Sequence, residues 1–125
     1  MELRFYQIDA FTDTLFKGNP ACVVPLERWL PDALLLKIAQ ENAVPETAFF
    51  VEEDASFHLR WFTPDIEMDL CGHATLATAH CLKTLLKDPR PHYLFKTKSG
   101  LLRVKARGNA YQMELPARMP VTASL

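Results

Sequence analysis

Short runs of hydrophobic residues, several of them alternating with polar ones, recur along the chain and predict β-strands. In the first half these runs cover 3–11, 21–26, 46–53 and 57–64, and in the second half they begin at His92, Leu101 and Tyr111. The segment 12–20 predicts a loop, and the polar residues 52–56 predict a hairpin. The pairs Ser99-Gly100 and Gly108-Asn109 predict turns between the last three strands.

Two segments have apolar residues at helical spacing. The first, 31–43, begins at a proline, which suits the first turn of a helix, and its apolar face comprises Leu34, Leu35, Ile38 and Ala39. The second, 72–86, has an apolar stripe of Ala74, Ala77, Cys81 and Leu85, with Leu82 and Leu86 beside it. Its small residues indicate that strands approach this helix closely. The element order ββαββαβββ therefore predicts an α+β (or α/β) unit whose strands wrap around the second helix.

Composition narrows the classes of function. A chain of 125 residues with 49% hydrophobic residues can form one domain with a real core. The formal net charge is −1 and Lys and Arg are scattered, so a nucleic-acid partner is not expected. No apolar run reaches the roughly 20 residues of a membrane span, and no signal peptide is evident at the N-terminus. Three irregularly spaced cysteines fit a reducing, cytoplasmic location better than a disulfide framework.

The start of the second helix is a candidate anion site. The first N–H groups of a helix have no intrahelical partner, and the helix dipole is positive there. In the sequence Gly72-His73-Ala74-Thr75 the glycine allows a ligand to approach the backbone closely. The histidine can donate to that ligand or exchange a proton with it. The alternative interpretation is an ordinary helix start with an exposed histidine.

A carboxylate between apolar segments is the candidate acid–base group. Glu46 follows Val44-Pro45 and precedes Ala48-Phe49-Phe50. If its side chain points inward, desolvation is expected to raise its pKa toward neutrality, so that it can take and return a proton near pH 7. A surface glutamate at a strand edge is the alternative.

The cysteines and histidines near the second helix offer two further interpretations. Cys71 precedes the helix N-terminus, where a thiol pKa can fall, but a small buried hydrophobe is the simpler interpretation. A two-thiol racemase needs a second cysteine, and neither Cys22 nor Cys81 has a context that marks it as one. A metal site is not predicted, because Cys71, His73, His80 and Cys81 lack a recognised ligand spacing.

Several stretches in order resemble one family. They are "YQIDAFTDTLFKGNPACVV", "IAQENAVPETAFF", "LRWFTPDIEMDLCGHATLATAH" and "MELPAR". Together they resemble the N-terminal half of the phenazine-biosynthesis PhzF-like isomerases, a family related in fold to diaminopimelate epimerase. The resemblance implies a single lobe of a diaminopimelate epimerase-like fold, in which a barrel-like, mostly antiparallel sheet wraps around a central helix.

The resemblance also implies a chemistry. Family members carry out acid–base isomerisation without a metal or organic cofactor, and some move a proton in a dihydro-hydroxyanthranilate. The catalytic glutamate of the family matches Glu46, and its glycine–histidine motif matches Gly72 and His73 in the Gly72–Thr75 turn. The asparagine of its Gly-Asn-Pro turn matches Asn19 as a weaker substrate contact. Many members have alanine where this chain has Cys71, which keeps a racemase-like variant open.

The resemblance covers one lobe of two. It implies that residues 1–115 form the N-terminal lobe, that 116–125 begin the connection between lobes, and that a C-terminal lobe is absent. The missing lobe would supply an acidic residue and a serine-bearing helix turn facing Glu46. We therefore expect little activity from the lone lobe, and a homodimer in which a second copy replaces the missing half. A non-catalytic binding or assembly module is the rival interpretation.

Overall fold

The computed structural model describes residues 3–8, 21–42, 44–69, 72–107, 110–114 and 121–124. These residues form two helices and one nine-stranded mixed sheet. The strands are β1 (Tyr6–Ile8), β2 (Ala21–Leu26), β3 (Glu46–Glu53), β4 (Ser56–Phe62), β5 (Glu67–Met68), β6 (His92–Thr97), β7 (Gly100–Arg107), β8 (Ala110–Glu114) and β9 (Val121–Ser124). The helices are α1 (Asp32–Asn42) and α2 (Gly72–His80), and α2 continues into a π-helical segment, Cys81–Leu85.

The sheet follows the order β1-β2-β3-β4-β6-β7-β8-β9, and β5 adds a short pairing to β4. Most neighbours are antiparallel, whereas β2–β3 and β4–β6 are parallel. Parallel neighbours need a crossover connection, and each of these two crossovers contains one helix. The predicted α+β class with a mostly antiparallel sheet around a helix is therefore confirmed.

The main core lies between α2 and the concave face of the sheet. Ala74, Ala77 and Ala79 are fully buried there, because side chains this small let the strands come close to the helix axis. Bulky residues of the strands fill the remaining space. They include Phe50, Phe57, Leu59, Trp61, Tyr93, Phe95, Leu102 and Val104.

A second core lies on the opposite face of β2 and β3, beneath α1. Leu35, Ile38 and Ala39 of the helix pack there against alternate strand residues such as Val24 and Phe49. Period-2 alternation sends neighbouring residues of one strand to the two cores. The prediction was wrong for Leu34, which is 40% exposed.

The second helix departs from its predicted stripe at its C-terminal end. Cys81 and Leu82 are buried, but Leu85 is 47% exposed and Leu86 is 36% exposed. The N–H of Leu86 donates to the carbonyl of Cys81 at 2.9 Å, a bond from residue i to i−5. A π-helical turn holds more residues than an α-helical turn, so the stripe loses its phase and the last leucines rotate toward solvent.

Two strands were not predicted from the sequence. β5 is only two residues long, too short for a periodic pattern, and β9 lies in the segment assigned to the connection between lobes. The hairpin predicted at Ser99-Gly100 is confirmed, with Lys98 and Ser99 as the turn residues between the paired Thr97 and Gly100. Gly100 has a φ of 108°, which glycine adopts at no steric cost. The turn predicted at Gly108-Asn109, the loop 12–20 and strand residues 9–11 lie outside the described residues. The division into lobe and connection stays a prediction.

Candidate active site

Glu46 is the first residue of β3, and its strand position directs it toward α2. Ala48 and Phe50 belong to the core around α2, whereas Phe49 and Val51 belong to the core beneath α1. Since side chains alternate along a strand, Glu46 shares the α2 face with Ala48 and Phe50. The residue is half-buried, and its Oε1 atom is shielded from solvent.

The path of the chain brings the start of α2 to the end of the sheet where Glu46 lies. Met68 of β5 pairs with Trp61 of β4, and Trp61 pairs with Ala48, two residues beyond Glu46. Only three residues separate Met68 from Gly72, so their Cα atoms are at most about 15 Å apart. Beyond the other end of α2, Arg90 contacts Glu52 near the end of β3. The helix therefore runs in the same direction as β3, and its N-terminus lies at the Glu46 end.

The first turn of α2 is buried wherever the structure describes its side chains. Ala74 and Thr75 are both fully buried, and the carbonyl of Ala74 accepts a hydrogen bond from Thr78 Oγ1 at 2.8 Å. Gly72 and His73 begin the helix, and the His73 side chain lies outside the described part of the structure. The first N–H groups of a helix have no intrahelical partner, and such groups can bind a carboxylate or a developing enolate. A carboxylate on the facing strand can exchange protons with a bound substrate.

The segment that leads into α2 is held by charged side chains that the sequence analysis did not select. Arg60 donates to both carboxylate oxygens of Glu67, each at 2.8 Å, and Lys98 lies 3.1 Å from the same carboxylate. The Arg60 hydrogen bonds are the largest cause that lowers the pKa of Glu67 below its ordinary value. The signal available in the sequence was an arginine and a glutamate flanking a Thr-Pro turn, which is weak without the fold.

The remaining candidates differ in what can be said of them. Asn19 and Cys71 lie outside the described residues, so their roles stay predictions. Cys22 and Cys81 are buried free thiols. Burial raises the pKa of Cys22 to about 11 and that of Cys81 to about 12. Both are therefore protonated near neutral pH, as expected of small buried hydrophobes rather than nucleophiles.

The described residues also bear on metal binding, membrane crossing and cavities away from Glu46. No group of three or more His, Cys, Asp or Glu side chains within them is placed to hold a metal ion. No helix in the described ranges is long and apolar enough to cross a membrane. A surface cavity of about 720 Å³ is lined by Leu3, Arg4, Pro25, Leu26, Glu27, Arg28 and Leu30. It lies at the far end of β2, about 17 Å along the strand from the pairing of Ala21 with Glu46, and is distinct from the Glu46 end.

Comparison with known families gives one clear match. A family model described as phenazine biosynthesis-like protein (PhzC-PhzF) matches residues 8–124. An uncharacterized isomerase of Pseudomonas aeruginosa is 52% identical over 120 residues, which are 96% of this chain and 46% of that protein. The chain thus spans a little under half the length of this relative.

Two solved structures have the same fold. A PhzF-family protein of Enterococcus faecalis superposes with a TM-score of 0.83 at 46% identity, over 97% of this chain and 48% of that one. A protein of Pseudomonas aeruginosa described as a predicted epimerase superposes with a TM-score of 0.73 at 26% identity, over 90% of this chain and 42% of that one. The fold is therefore one that proteins named isomerase or epimerase share.

Proposed function

We propose that this chain, which belongs to the phenazine biosynthesis-like (PhzC-PhzF) family, is one lobe of an isomerase that shifts a proton on a small carboxylate-bearing substrate. One observation carries the proposal. A glutamate with a shielded carboxylate oxygen and the N-terminus of the central helix lie at the same end of the same sheet face. A relative that is 52% identical is named an isomerase, and this name supports isomerisation as the class of reaction.

Glu46 has the chemistry of the proton carrier. It starts a strand whose next residues on that face, Ala48 and Phe50, are buried and apolar. Ala21, its partner on β2, is fully buried as well. These apolar surroundings limit the access of water to Glu46 from within the lobe, and exclusion of water strengthens electrostatic interactions with a bound substrate and prevents leakage of the proton.

The first turn of α2 has the chemistry of the anion site. The substrate carboxylate would accept hydrogen bonds from backbone N–H groups within Gly72–Thr75, assisted by the positive end of the helix dipole. His73 would orient the substrate or shuttle the proton, and Asn19 would be a secondary contact. Electrostatic stabilisation of this kind is commonly the largest contribution to catalysis.

The reaction is a redistribution of one proton. Glu46 takes a proton from an activated carbon, and the electron pair of that C–H bond delocalises toward the substrate carboxylate held by the helix. The proton is then returned to another carbon, so that the product is an isomer and no electrons leave the substrate. No metal or organic cofactor is invoked for these steps, and positioned acid–base action contributes roughly 10²–10⁴-fold to the rate.

The proposal includes a cellular compartment and an oligomeric state. The free buried thiols Cys22 and Cys81 are compatible with a reducing, cytoplasmic compartment. A second lobe would close the Glu46 end against water, supplied either by a longer chain or by a second copy in a homodimer. The lone lobe is expected to turn over little substrate. No nucleic acid or membrane partner is proposed.

The test of the reaction uses Glu46→Gln, which keeps the side-chain shape and removes the titrating group. The lobe is joined to the unmatched half of the Pseudomonas aeruginosa isomerase that is 52% identical to it. Deuterium uptake from D₂O into a dihydro-hydroxyanthranilate is then followed by NMR. We expect exchange to fall by roughly 10²–10⁴-fold. Glu41→Gln, an exposed glutamate of α1, is the matched control and should leave exchange unchanged.

Two outcomes would favour a different function. Exchange at a near wild-type rate in Glu46→Gln would show that another group carries the proton, and rapid reaction of Cys71 with a thiol reagent would then favour a cysteine racemase. Absence of exchange in the unsubstituted protein, together with retained binding of anthranilate, would favour a non-catalytic binding module.

A further inference from the structure

We propose that Arg60 and Glu67 are positioning residues that fix the first turn of α2 relative to Glu46. The proposal rests on the function proposed above and names two residues that act through the helix backbone rather than on substrate. The contacts of Arg60, Glu67, Lys98 and Ser99 are called the entry clamp here, because they hold the segment through which the chain enters α2.

Arg60 is the centre of the entry clamp. Its Nε donates to Glu67 Oε2 and its Nη2 to Glu67 Oε1, both at 2.8 Å, which is a bidentate pair. The two side chains are 13% and 14% exposed, so solvent screens the pair less than it would at the surface. A third bond runs from Nη2 to Oδ1 of Asp32 in the first turn of α1 at 3.0 Å.

Aromatic rings fix the plane of the Arg60 guanidinium. Its central carbon lies 5.2 Å from the ring centroid of Trp29 and 5.5 Å from that of Phe62. The Trp29 indole is itself held, because its Nε1 donates to His58 Nδ1 at 2.9 Å. A planar, always charged guanidinium suits this stacked and forked arrangement, whereas an ammonium does not.

The hairpin between β6 and β7 grips the same segment from the other side. Lys98 Nζ lies 3.1 Å from Glu67 Oε1, and Ser99 Oγ donates to the carbonyl of Asp69 at 2.7 Å. Asp69 is three residues before Gly72, so this bond restrains the last described backbone before the helix. Contacts from β4 and from the hairpin therefore converge on a stretch that pairs with the sheet through only two residues of β5.

A local turn precedes the clamped residues. Thr63 Oγ1 accepts hydrogen bonds from the N–H groups of Asp65 and Ile66 at 3.1 and 3.0 Å. The N–H of Thr63 donates to the carbonyl of Ile66 at 2.8 Å. This turn aims the chain back along β4, and the entry clamp then sets where β5 ends.

The clamp also has an electrostatic consequence. Glu67 lies five residues before Gly72, and an uncompensated carboxylate there would repel a substrate carboxylate at the helix N-terminus. Arg60 and Lys98 both neutralise it. The Arg60 hydrogen bonds are also the largest cause that lowers the pKa of Glu67, as this pairing of charges requires. The field of the helix end thus remains available to an anion.

The test is Arg60→Lys, which keeps the charge and loses the fork and the stacking. In this chain we measure the NMR affinity for anthranilate and the hydrogen exchange of the Leu76 and Ala77 amides, whose helical bonds close on the carbonyls of Gly72 and His73. We expect the affinity for anthranilate to fall about 10-fold, because a small misplacement of a binding group weakens binding strongly. We also expect the Leu76 and Ala77 amides to exchange faster.

Arg90→Lys is the matched control. Arg90 pairs with Glu52 and Asp88, and its guanidinium lies 4.6 Å from the Phe57 ring centroid, so it is also a stacked arginine with two acidic partners. Arg90 follows the opposite end of α2. We expect Arg90→Lys to lower the melting temperature and to leave the anthranilate affinity and the exchange rates of the Leu76 and Ala77 amides unchanged.

A milder variant keeps the test decisive if Arg60→Lys does not fold. Ser99→Ala removes one bond from an exposed hairpin residue and should accelerate the same two amides by a smaller factor. The proposal is overturned if Arg60→Lys and Ser99→Ala leave the exchange of these amides as slow as Arg90→Lys does. If Glu46→Gln keeps full activity, the proposed reaction fails, and the amide exchange still decides whether the entry clamp positions the helix.

Discussion

Charged side chains lie before the first turn of α2, whereas a cluster of aromatic rings that pack against one another lies beyond its last turn. The N-terminal end lies by Ala48 and Glu46 and is preceded by the Arg60–Glu67 pair. At the opposite end Phe57 packs against Phe50 and Phe95, with ring centroids 5.5 and 5.9 Å apart. The comparison indicates that ring–ring packing in the core around α2 is concentrated at its C-terminal, aromatic end. The N-terminal end instead has the carboxylate of Glu46 close to the helix backbone.

Removal of a ring from the aromatic end should have the largest effect on stability. Phe57 is 2% exposed, and Phe57→Ala leaves a cavity among Phe50, Tyr93 and Phe95. We expect a loss of about 3–5 kcal/mol in the free energy of unfolding, measured by urea denaturation. Phe5→Ala, at a ring that is 49% exposed, should change it by no more than about 0.5 kcal/mol. Equal losses in the two variants would contradict the comparison.

The part-buried hydrogen bond at the last turn of α2 should contribute less. His80 Nδ1 lies 2.9 Å from the hydroxyl of Tyr111, a residue that is 5% exposed. Tyr111→Phe removes the hydroxyl and should lower the free energy of unfolding by about 1 kcal/mol. Gln112→Ala, at the next position of β8, is the control. A Tyr111→Phe variant as stable as the wild type would mean that this bond does not fasten the helix to β8.

The same histidine should make stability depend on pH. Burial, and to a smaller extent Lys83, lowers the pKa of His80 below its ordinary value of 6.5. As pH falls below about 6.5, the unfolded chain binds a proton at this site before the folded chain does, so the folded state loses stability down to the folded pKa. The fall in melting temperature from pH 7.5 to 5.5 should therefore be smaller in His80→Gln than in the wild type. His92→Gln should keep the full fall, and equal falls in all three would refute the assignment.

A small gain is expected just beyond the π-helical segment. Lys87 has a φ of 55°, in the left-handed region that favours glycine, and it follows the last helical residues. Lys87→Gly should raise the free energy of unfolding by on the order of 0.5 kcal/mol, because relief of the strained conformation is partly offset by the entropy of glycine. Thermal denaturation measures the change. A destabilised variant would show that the lysine side chain contributes more than its backbone strain removes.

The sequence predicts the core elements better than it predicts the contacts of the site. Strands β2, β3, β6 and most of α1 follow from hydrophobic periodicity, because burial on one face is a local and repeated signal. The exposed Leu85 was missed because a single π-helical turn shifts the phase without a sequence mark. The Arg60–Asp32 contact was missed because its partners are 28 residues apart and only the sheet brings them together.

The sequence by itself determined most of the elements, the small-residue central helix and the membership of the family, since these depend on local periodicity and on ordered motifs. Only the tertiary structure decided that Glu46 faces α2 and that the helix starts at the same end of the sheet. The physical reason is register: side chains alternate with period two, so a shift of one residue in strand pairing would send Glu46 to the α1 face. Pairing of β3 with β4, and of β4 with β5, fixes that register through contacts distant in sequence.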